Sequence, residues 1–306
     1  ATWETDQGTV DLTTARTETY AHAGALPDVT PSSLSADLAR RDFTINAMAL
    51  SIAPEDRGHI LDLHGGASDL KERVLRVLHP KSFHDDPTRG WRGCRYQVRY
   101  CLRWDEETES AHKNALASGA MRRVSLQRQG AEWDKALGEL DVVAVAHAVQ
   151  TRGLLAAMHP TFSADTGLVE RLQAVMTSGN GPCNGRLSGL HETLWLALSM
   201  GLSSEALSET VELAAGKHGR TDRWLNGSHR VRAAVQFLEG TAAKGSWGEV
   251  LKKEAGPELL MLHSLGGVCQ QAVQWWLEEG RKLRTAATST GLMERGIPQG
   301  PALGRA

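Results

Sequence analysis

The feature that most constrains the fold is a change of hydrophobic period near Asp85. Before it, short apolar stretches alternate with polar residues and are broken by Gly and Pro. After it, apolar residues recur at helical spacing almost to the end of the 306-residue chain. Residues 8–16 (GTVDLTTAR) read as strand, with Val10, Leu12 and Thr14 alternating against Asp11 and Thr13. A Gly/Pro loop spans 23–31, and residues 32–41 read as a serine-capped helix ending near the double arginine. Residues 45–52 suit either helix or strand, 61–66 a strand end and turn, and 69–77 a short helix. Helical segments follow at 131–155, 166–176, 186–200, 203–215, 230–238 and 269–287, divided by Gly-, Asn- and Pro-containing stretches at 178–184, 216–227 and 240–245. The predicted class is α+β, with a mixed α/β head followed by an all-α body.

A chain of this length predicts about two domains at roughly 150 residues each. Its net charge of −2 excludes a globally basic nucleic-acid binder. The charge is uneven, however. Between Lys71 and Arg103 nine Lys or Arg face three acids, a local patch suited to one polyanion at one place. The four cysteines form no C-x-x-C pair, so neither a zinc site nor a disulfide framework is expected, and they read as small buried residues. Most of the nine Trp lie in the helical part and are expected in the core. No apolar run of about 18 residues offers a membrane span, and no signal peptide is visible.

The basic patch has a pattern. Asp85 and Asp86 are expected to open a helix with Pro87 in its first turn. At about 100° per residue, Arg89, Arg92, Arg95 and Arg99 then share one face, while Trp91, Cys94, Val98, Cys101 and Leu102 share the other. A solvated charged face is the plain reading. Arginine forks suit phosphate and base edges, however, and Asp86 lies three residues before Arg89, so the two can present an acceptor beside a donor. Cytosine and adenine show an amino group beside an unprotonated ring nitrogen; uracil and guanine show a keto oxygen beside a ring N–H. The pair would accept the first two bases, and each mismatch would cost on the order of 1–3 kcal/mol. Arg92 and Arg95 would then face the triphosphate.

Three motifs in fixed order surround this pattern: RRDFTINAMA (40–49), LDLHGGASDL (61–70) and SFHDDPTRGWRGCRY (82–96). Together they resemble the nucleotidyltransferase core of class II tRNA nucleotidyltransferases, the CCA-adding enzymes and their poly(A) polymerase relatives. That family carries Glu-Asp-x-x-Arg followed by two arginines at three-residue spacing. Asp85, Asp86, Arg89, Arg92 and Arg95 match it, with Asp85 for Glu and with Gly90 and Trp91 where the family has aliphatic residues. The resemblance implies that Asp86 and Arg89 form a protein template for CTP and ATP. It implies further that Arg41 contacts nucleotide, that Asp42 and Asn46 hold the ribose, and that Asp62, Gly65, Gly66 and Asp69 form a hinge between head and neck. VSLQR (124–128) resembles the family's Ser-x-Glu-Arg neck segment, and residues 290–304 resemble a turn-rich tail.

On this resemblance the chain divides into a partial nucleotidyltransferase head (1–80), a nucleotide-selecting neck with RNA-binding helices (81–160) and a helical, tRNA-binding body and tail (161–306). The implied activity, for a parent enzyme of which this chain is a fragment, is template-independent addition of C and A to the 3′ end of tRNA, in full or as the CC or A part, in the cytoplasm; the chain alone is expected to be inactive for want of the Asp-x-Asp metal site. The implied partner is the tRNA 3′ end and acceptor arm. The implied cofactor is Mg²⁺, with CTP and ATP as substrates. The family's Gly-rich turn and metal-binding Asp-x-Asp are not found in residues 1–9 (ATWETDQGT), so truncation at the N-terminus is expected and no metal ligand is assigned in the chain. Asp11 is a candidate to complete a catalytic carboxylate set; a plain surface-strand aspartate is an equal reading. Three alternatives stay open: a poly(A) polymerase, a catalytically silent nucleotide- and tRNA-binding protein, and a His84-Asp85 metal-hydrolase dyad partnered by His59, His64 or His79.

Overall fold

The computed structural model describes residues 1–19, 28–163, 165–177, 190–210, 220–241, 244–254, 256–283 and 293. The expected tail motif (Met293 apart), Tyr20, Cys183, the divide at 178–184 and residues beyond 210 in the 203–215 segment lie outside these.

The head consists of short antiparallel pairs. β1 (Thr2–Thr5) and β2 (Gly8–Asp11) form a hairpin with Trp3 opposite Val10, exposed along its whole length. β3 (Arg16–Thr19) pairs with β4 (Asp28–Pro31), so the strand expected over 8–16 is two pieces. α1 (Leu34–Ala39) begins where Ser33 Oγ accepts from the Ala36 N–H. Residues 45–52 resolve into a 3-10 turn (Thr44–Asn46) and β5 (Met48–Leu50), which pairs with β6 (Ile60–Asp62). α2 (Gly66–Lys71) follows, and β7 (Val74–Leu75) lies parallel to β8 (Arg103–Trp104). The helix expected over 69–77 therefore stops early. Arg73 takes a left-handed φ of 57°, and the buried Val74 and Leu75 turn into the sheet pairing instead.

The expected helix opening at Asp85 is corrected in the same way. α3 (Ser82–Asp85) ends there, and α4 (Arg89–Tyr100) starts afresh. Asp86 between them is extended at φ −136°, ψ 98°. The cause is Pro87, whose ring excludes the helical region for the residue before it. The 131–155 segment is likewise three helices: α6 (Leu126–Leu137), α7 (Val142–Thr151) and α8 (Leu154–Met158). Gly138 ends the first, Asp141 caps the second, and Gly153 takes φ 72° before the third. α5 (Glu106–Ala117) precedes them, capped by Asp105.

Among the described residues seven further helices follow: α9 (Thr166–Thr177), α10 (Leu190–Ser199), α11 (Ser204–Glu209), α12 (Arg220–Gly240), α13 (Lys244–Leu251), α14 (Gly256–Leu265) and α15 (Gly267–Glu278). The break expected at 216–227 is overturned in its second half, because α12 runs through Gly227. A Cβ there would lie 3.0 Å from Leu196 and 3.2 Å from the Glu258 carboxylate, so this glycine marks a close helix approach rather than a turn.

One apolar core runs from Phe43 in the head to Val273 in α15. Trp91, Trp104, Trp133, Trp195, Trp224 and Trp247 are buried in it, as their sequence context predicts, while Trp3 stands exposed on the hairpin. Trp91 meets Trp133 edge-on at 5.8 Å, joining α4 to α6. Cys94 and Cys269 are buried, and burial pushes their thiols up to about 12 and about 11. Cys101 departs from the expectation: it is exposed, in a left-handed cap at the end of α4. Among the described residues no helix is long and apolar enough to cross a membrane.

Candidate functional site

The Asp86-Pro87-Thr88 corner decides the geometry of the site. Asp86 and Arg89 are not neighbours on one helix, as expected from their spacing, but flank a bend between α3 and α4. Asp86 Oδ1 accepts from the Thr88 backbone N–H at 3.1 Å, from Thr88 Oγ1 at 2.7 Å and from Arg128 Nη2 at 3.3 Å. The Arg89 guanidinium is buried. It donates to Ser82 Oγ at 2.6 Å and to the Arg40 carbonyl at 2.9 Å, tying α3 and α4 to the end of α1.

The RRD turn meets this corner. Asp42 is buried; its Oδ1 accepts from the Phe43 N–H and from Asn46 Nδ2, both at 3.0 Å, and its Oδ2 accepts from Arg92 Nε at 2.6 Å. Burial lowers the Arg92 pKa, but the charge and hydrogen bond of Asp42 more than offset this and leave it above its ordinary value. Arg92 also donates to the Tyr96 hydroxyl and lies over that ring. Arg41 donates to Asp37 and to the Asn46 carbonyl. Arg40 bonds both Asp37 and Glu18. Burial raises the Asp37 pKa, but bonds from Arg40, the Arg16 N–H and Arg41 outweigh it and hold the carboxyl below its usual range.

These groups line one open cavity of about 590 Å³, within the size range of small-ligand sites. Arg41, Asp42 and Asn46 enter it from the head, Asp86, Arg89 and Arg92 from the α3–α4 corner, and Arg128 and Glu132 from α6. Three sequence candidates do not line it. Asp11 lies on the exposed hairpin and accepts from Thr2 Oγ1 at 2.7 Å. Asp85 lies 3.7 Å from His79. Arg95, expected to face phosphate, is instead bonded to Glu139 at 2.8 Å and lies 4.0 Å from Glu132. Arg99 pairs with the same Glu139. The arginine stripe is thus split: two members open on the cavity and two are held by the turn after α6.

Sequence reading singled out neither Glu132 nor Tyr96, and it placed Arg128 only within a neck segment. The signal for the α6 pair was the i,i+4 spacing of Arg128 and Glu132, which puts both on one helix face. Gly90, a departure from the family pattern, has a local reason: a Cβ there would lie 2.9 Å from His112 and 3.0 Å from Leu154, so only glycine admits α4 this close.

The glycine pair also gains a physical role. Asp62 accepts from the His64, Gly66 and Ala67 N–H groups at the start of α2, and the Ala67 bond leads in holding its carboxyl below the usual range. Gly65 takes φ 75°, while a Cβ on Gly66 would run into the Thr44 carbonyl. The segment expected as a hinge is therefore a tight corner packed on the turn that carries Asn46.

Among the described residues no three His, Cys, Asp or Glu side chains converge as a metal site, and no third group joins His79 and Asp85 in the arrangement a dyad hydrolase needs. The donors present do not fit a divalent cation by themselves.

An open, arginine-lined cavity thus lies where the head meets the helical body. Residues 1–76 match the poly A polymerase head domain. An A-adding tRNA nucleotidyltransferase of Aquifex aeolicus is 48% identical over 113 residues, covering 37% of this chain and 14% of that protein. Another from Geobacter sulfurreducens is 30% identical over 310 residues, covering 95% of this chain and 34% of that protein. The chain thus spans about a third or less of the length of these curated relatives. A solved CCA-adding enzyme in an apo form superposes with a TM-score of 0.82 at 25% identity, over 99% of this chain and 73% of that one. Residues 1–76 thus match a poly A polymerase head domain, and the chain is similar over most of its length to a tRNA nucleotidyltransferase and to a solved CCA-adding enzyme.

Proposed function

We propose that this protein supplies the nucleotide-selecting part of an enzyme that adds C and A to the 3′ end of tRNA, as the whole CCA or as its CC or A portion. The observation that carries this is the convergence of Arg41, Asp42 and Asn46 with Asp86, Arg89 and Arg92 on one cavity. The names of the similar A-adding enzymes support nucleotide addition to tRNA.

In this reading Asp86 Oδ2 accepts from the exocyclic amino group of cytosine or adenine. Arg89 keeps N–H donors beyond the two it spends on Ser82 and Arg40, and one reaches the ring nitrogen. Asn46 and Asp42 face the ribose. Arg41 and Arg92 meet phosphate, exchanging Asp37 and Asp42 for it. Arg95 drops out of the phosphate role because Glu139 already holds it; Asp85 and Asp11 act, if at all, from outside the cavity. Mg²⁺ is the cofactor that the family resemblance implies, but none of the described residues is assigned to hold it. Residues 1–80 act as head, 81–160 as neck, and 161–306 as the body that grips the tRNA acceptor arm, in the cytoplasm.

The test is incorporation of each of the four nucleotides on trimmed tRNA by Asp86→Ala and Arg89→Ala in the full protein. Each variant is expected to lose most of its preference for C and A over U and G, about tenfold or more at roughly 1–3 kcal/mol per mismatch. If both kept the wild-type preference, the base-selecting role would be wrong.

A further inference from the structure

We infer that Arg128 is a positioning residue for base selection: it fixes the rotation of the Asp86 carboxylate so that a single oxygen, Oδ2, faces the nucleotide. The inference rests on the reading of Asp86 given above and adds a residue and a physical device to it.

Three donors converge on Oδ1 of Asp86: the Thr88 N–H, the Thr88 hydroxyl and Arg128 Nη2. A carboxylate offers about four lone-pair sites over its two oxygens, so Oδ1 is saturated while Oδ2 is left for a ligand. The Thr88 bonds are local, belonging to the same corner as Asp86, and travel with it. Arg128 is different. It comes from α6, 42 residues away in sequence, and spans the cavity wall to reach Asp86. It is therefore the bond that refers the carboxylate to a second rigid element.

That element is held in place by named contacts. Ser125 Oγ caps α6 by accepting from the Arg128 backbone N–H at 3.3 Å, which fixes the first turn from which the side chain leaves. Trp91 on α4 packs edge-on against Trp133 on α6, setting the separation of the two helices. Buried Gln129 donates from its side chain to the Met121 and Val124 carbonyls, anchoring the same turn of α6 to the preceding segment. The distance from Arg128 to Asp86 is thus set by packing on both sides. With the carboxylate locked, a base bearing an amino group finds an acceptor, and a base bearing a keto oxygen finds a lone pair that cannot rotate away. A freely turning carboxylate could swing its bonded oxygens and relax the penalty. Discrimination, more than affinity, should depend on Arg128.

The experiment measures equilibrium binding of CTP, ATP, UTP and GTP to the full protein carrying Arg128→Met, Arg128→Lys or Asp86→Asn, with thermal melts on each. The readout is the ratio of Kd for UTP to Kd for CTP. A lost positive charge or a loosened fold weakens all four nucleotides alike and leaves that ratio unmoved. Arg128→Met is expected to bring the ratio from about tenfold or more to within about twofold. Arg128→Lys, which keeps the charge but lacks the planar fork, should lose most of the ratio while holding triphosphate affinity. If both Arg128 variants fold and keep the wild-type ratio while Asp86→Asn abolishes it, the positioning role is overturned and the reading of Asp86 stands. If Asp86→Asn also keeps the ratio, or the wild type has none, both fall together.

Discussion

Gly65 and Gly66 are adjacent, yet alanine should affect them through different physics, and the contrast tests how the head builds its side of the cavity. On Gly66 a Cβ would run into the Thr44 carbonyl, with Thr44 C at 2.8 Å and Ile45 Cα at 3.2 Å. Carbon atoms pack best at about 3.5–4.0 Å, so α2 and the Thr44–Asn46 turn must part by roughly 0.7 Å or more. Both sides are backbone and neither can rotate away. Overpacking of this kind costs about 1–3 kcal/mol, and the upper end applies because Thr44 Oγ1 also bonds Asp69 at 2.7 Å across the same contact. The displaced turn carries Asn46, whose side chain donates to Asp42, so nucleotide binding should weaken along with stability. On Gly65 nothing lies within 4 Å of a Cβ. Alanine there meets only the left-handed φ of 75°, costing roughly 1–2 kcal/mol, with no reason for Asn46 to move. Urea denaturation and ATP titration of both variants decide the matter. Equal loss of stability with unchanged ATP affinity in both, or Gly66→Ala as stable as wild type, would refute the packing argument.

Two more perturbations are informative. His112 is buried among Phe83, Trp104 and the Arg152 carbonyl, and burial leads in pushing its pKa down to about 4. The unfolded chain takes up this proton near 6.5 and the folded one does not, so stability is lost as pH falls from 6.5 to about 4, by on the order of 3 kcal/mol. Urea melts across that range should show His112→Gln with a visibly flatter pH dependence; an unchanged slope would exclude His112 as the source. Glu139→Gln removes the charge shared by Arg95 and Arg99. The half-buried Arg95 side should dominate a loss of about 1–3 kcal/mol in thermal or urea unfolding, the exposed Arg99 side adding little; a change under about 0.5 kcal/mol would show that the pair does not hold α4 to α6.

Much of the site was legible in sequence because its chemistry is local. Asp42 and Asn46 are four apart and bond each other within one turn. The serine start of α1 was legible because a cap needs only the residues after it; the starts capped by Asp105, Ser125 and Asp141 follow the same local rule but were not among the expected boundaries. Even the break at Asp86 is written in Pro87, against the single helix that the arginine spacing predicts. What escaped was every choice made by a distant partner. Arg89, Arg92, Arg95 and Arg99 look equivalent on a wheel, and Glu139, 44 residues beyond Arg95, is what removes two of them from the cavity. Arg128 reaches Asp86 across 42 residues, and no periodicity announces that.

By itself the sequence determined an α/β head, a helical body and an arginine-loaded stretch where the two meet, because turn chemistry, capping and apolar period act over a few residues at a time. Only the tertiary structure decided which charges remain open to a ligand. Each arginine goes to whichever carboxylate the packing of α4, α6 and the head brings within reach: Arg89 and Arg92 line the cavity, whereas Glu139 draws Arg95 and Arg99 away from it.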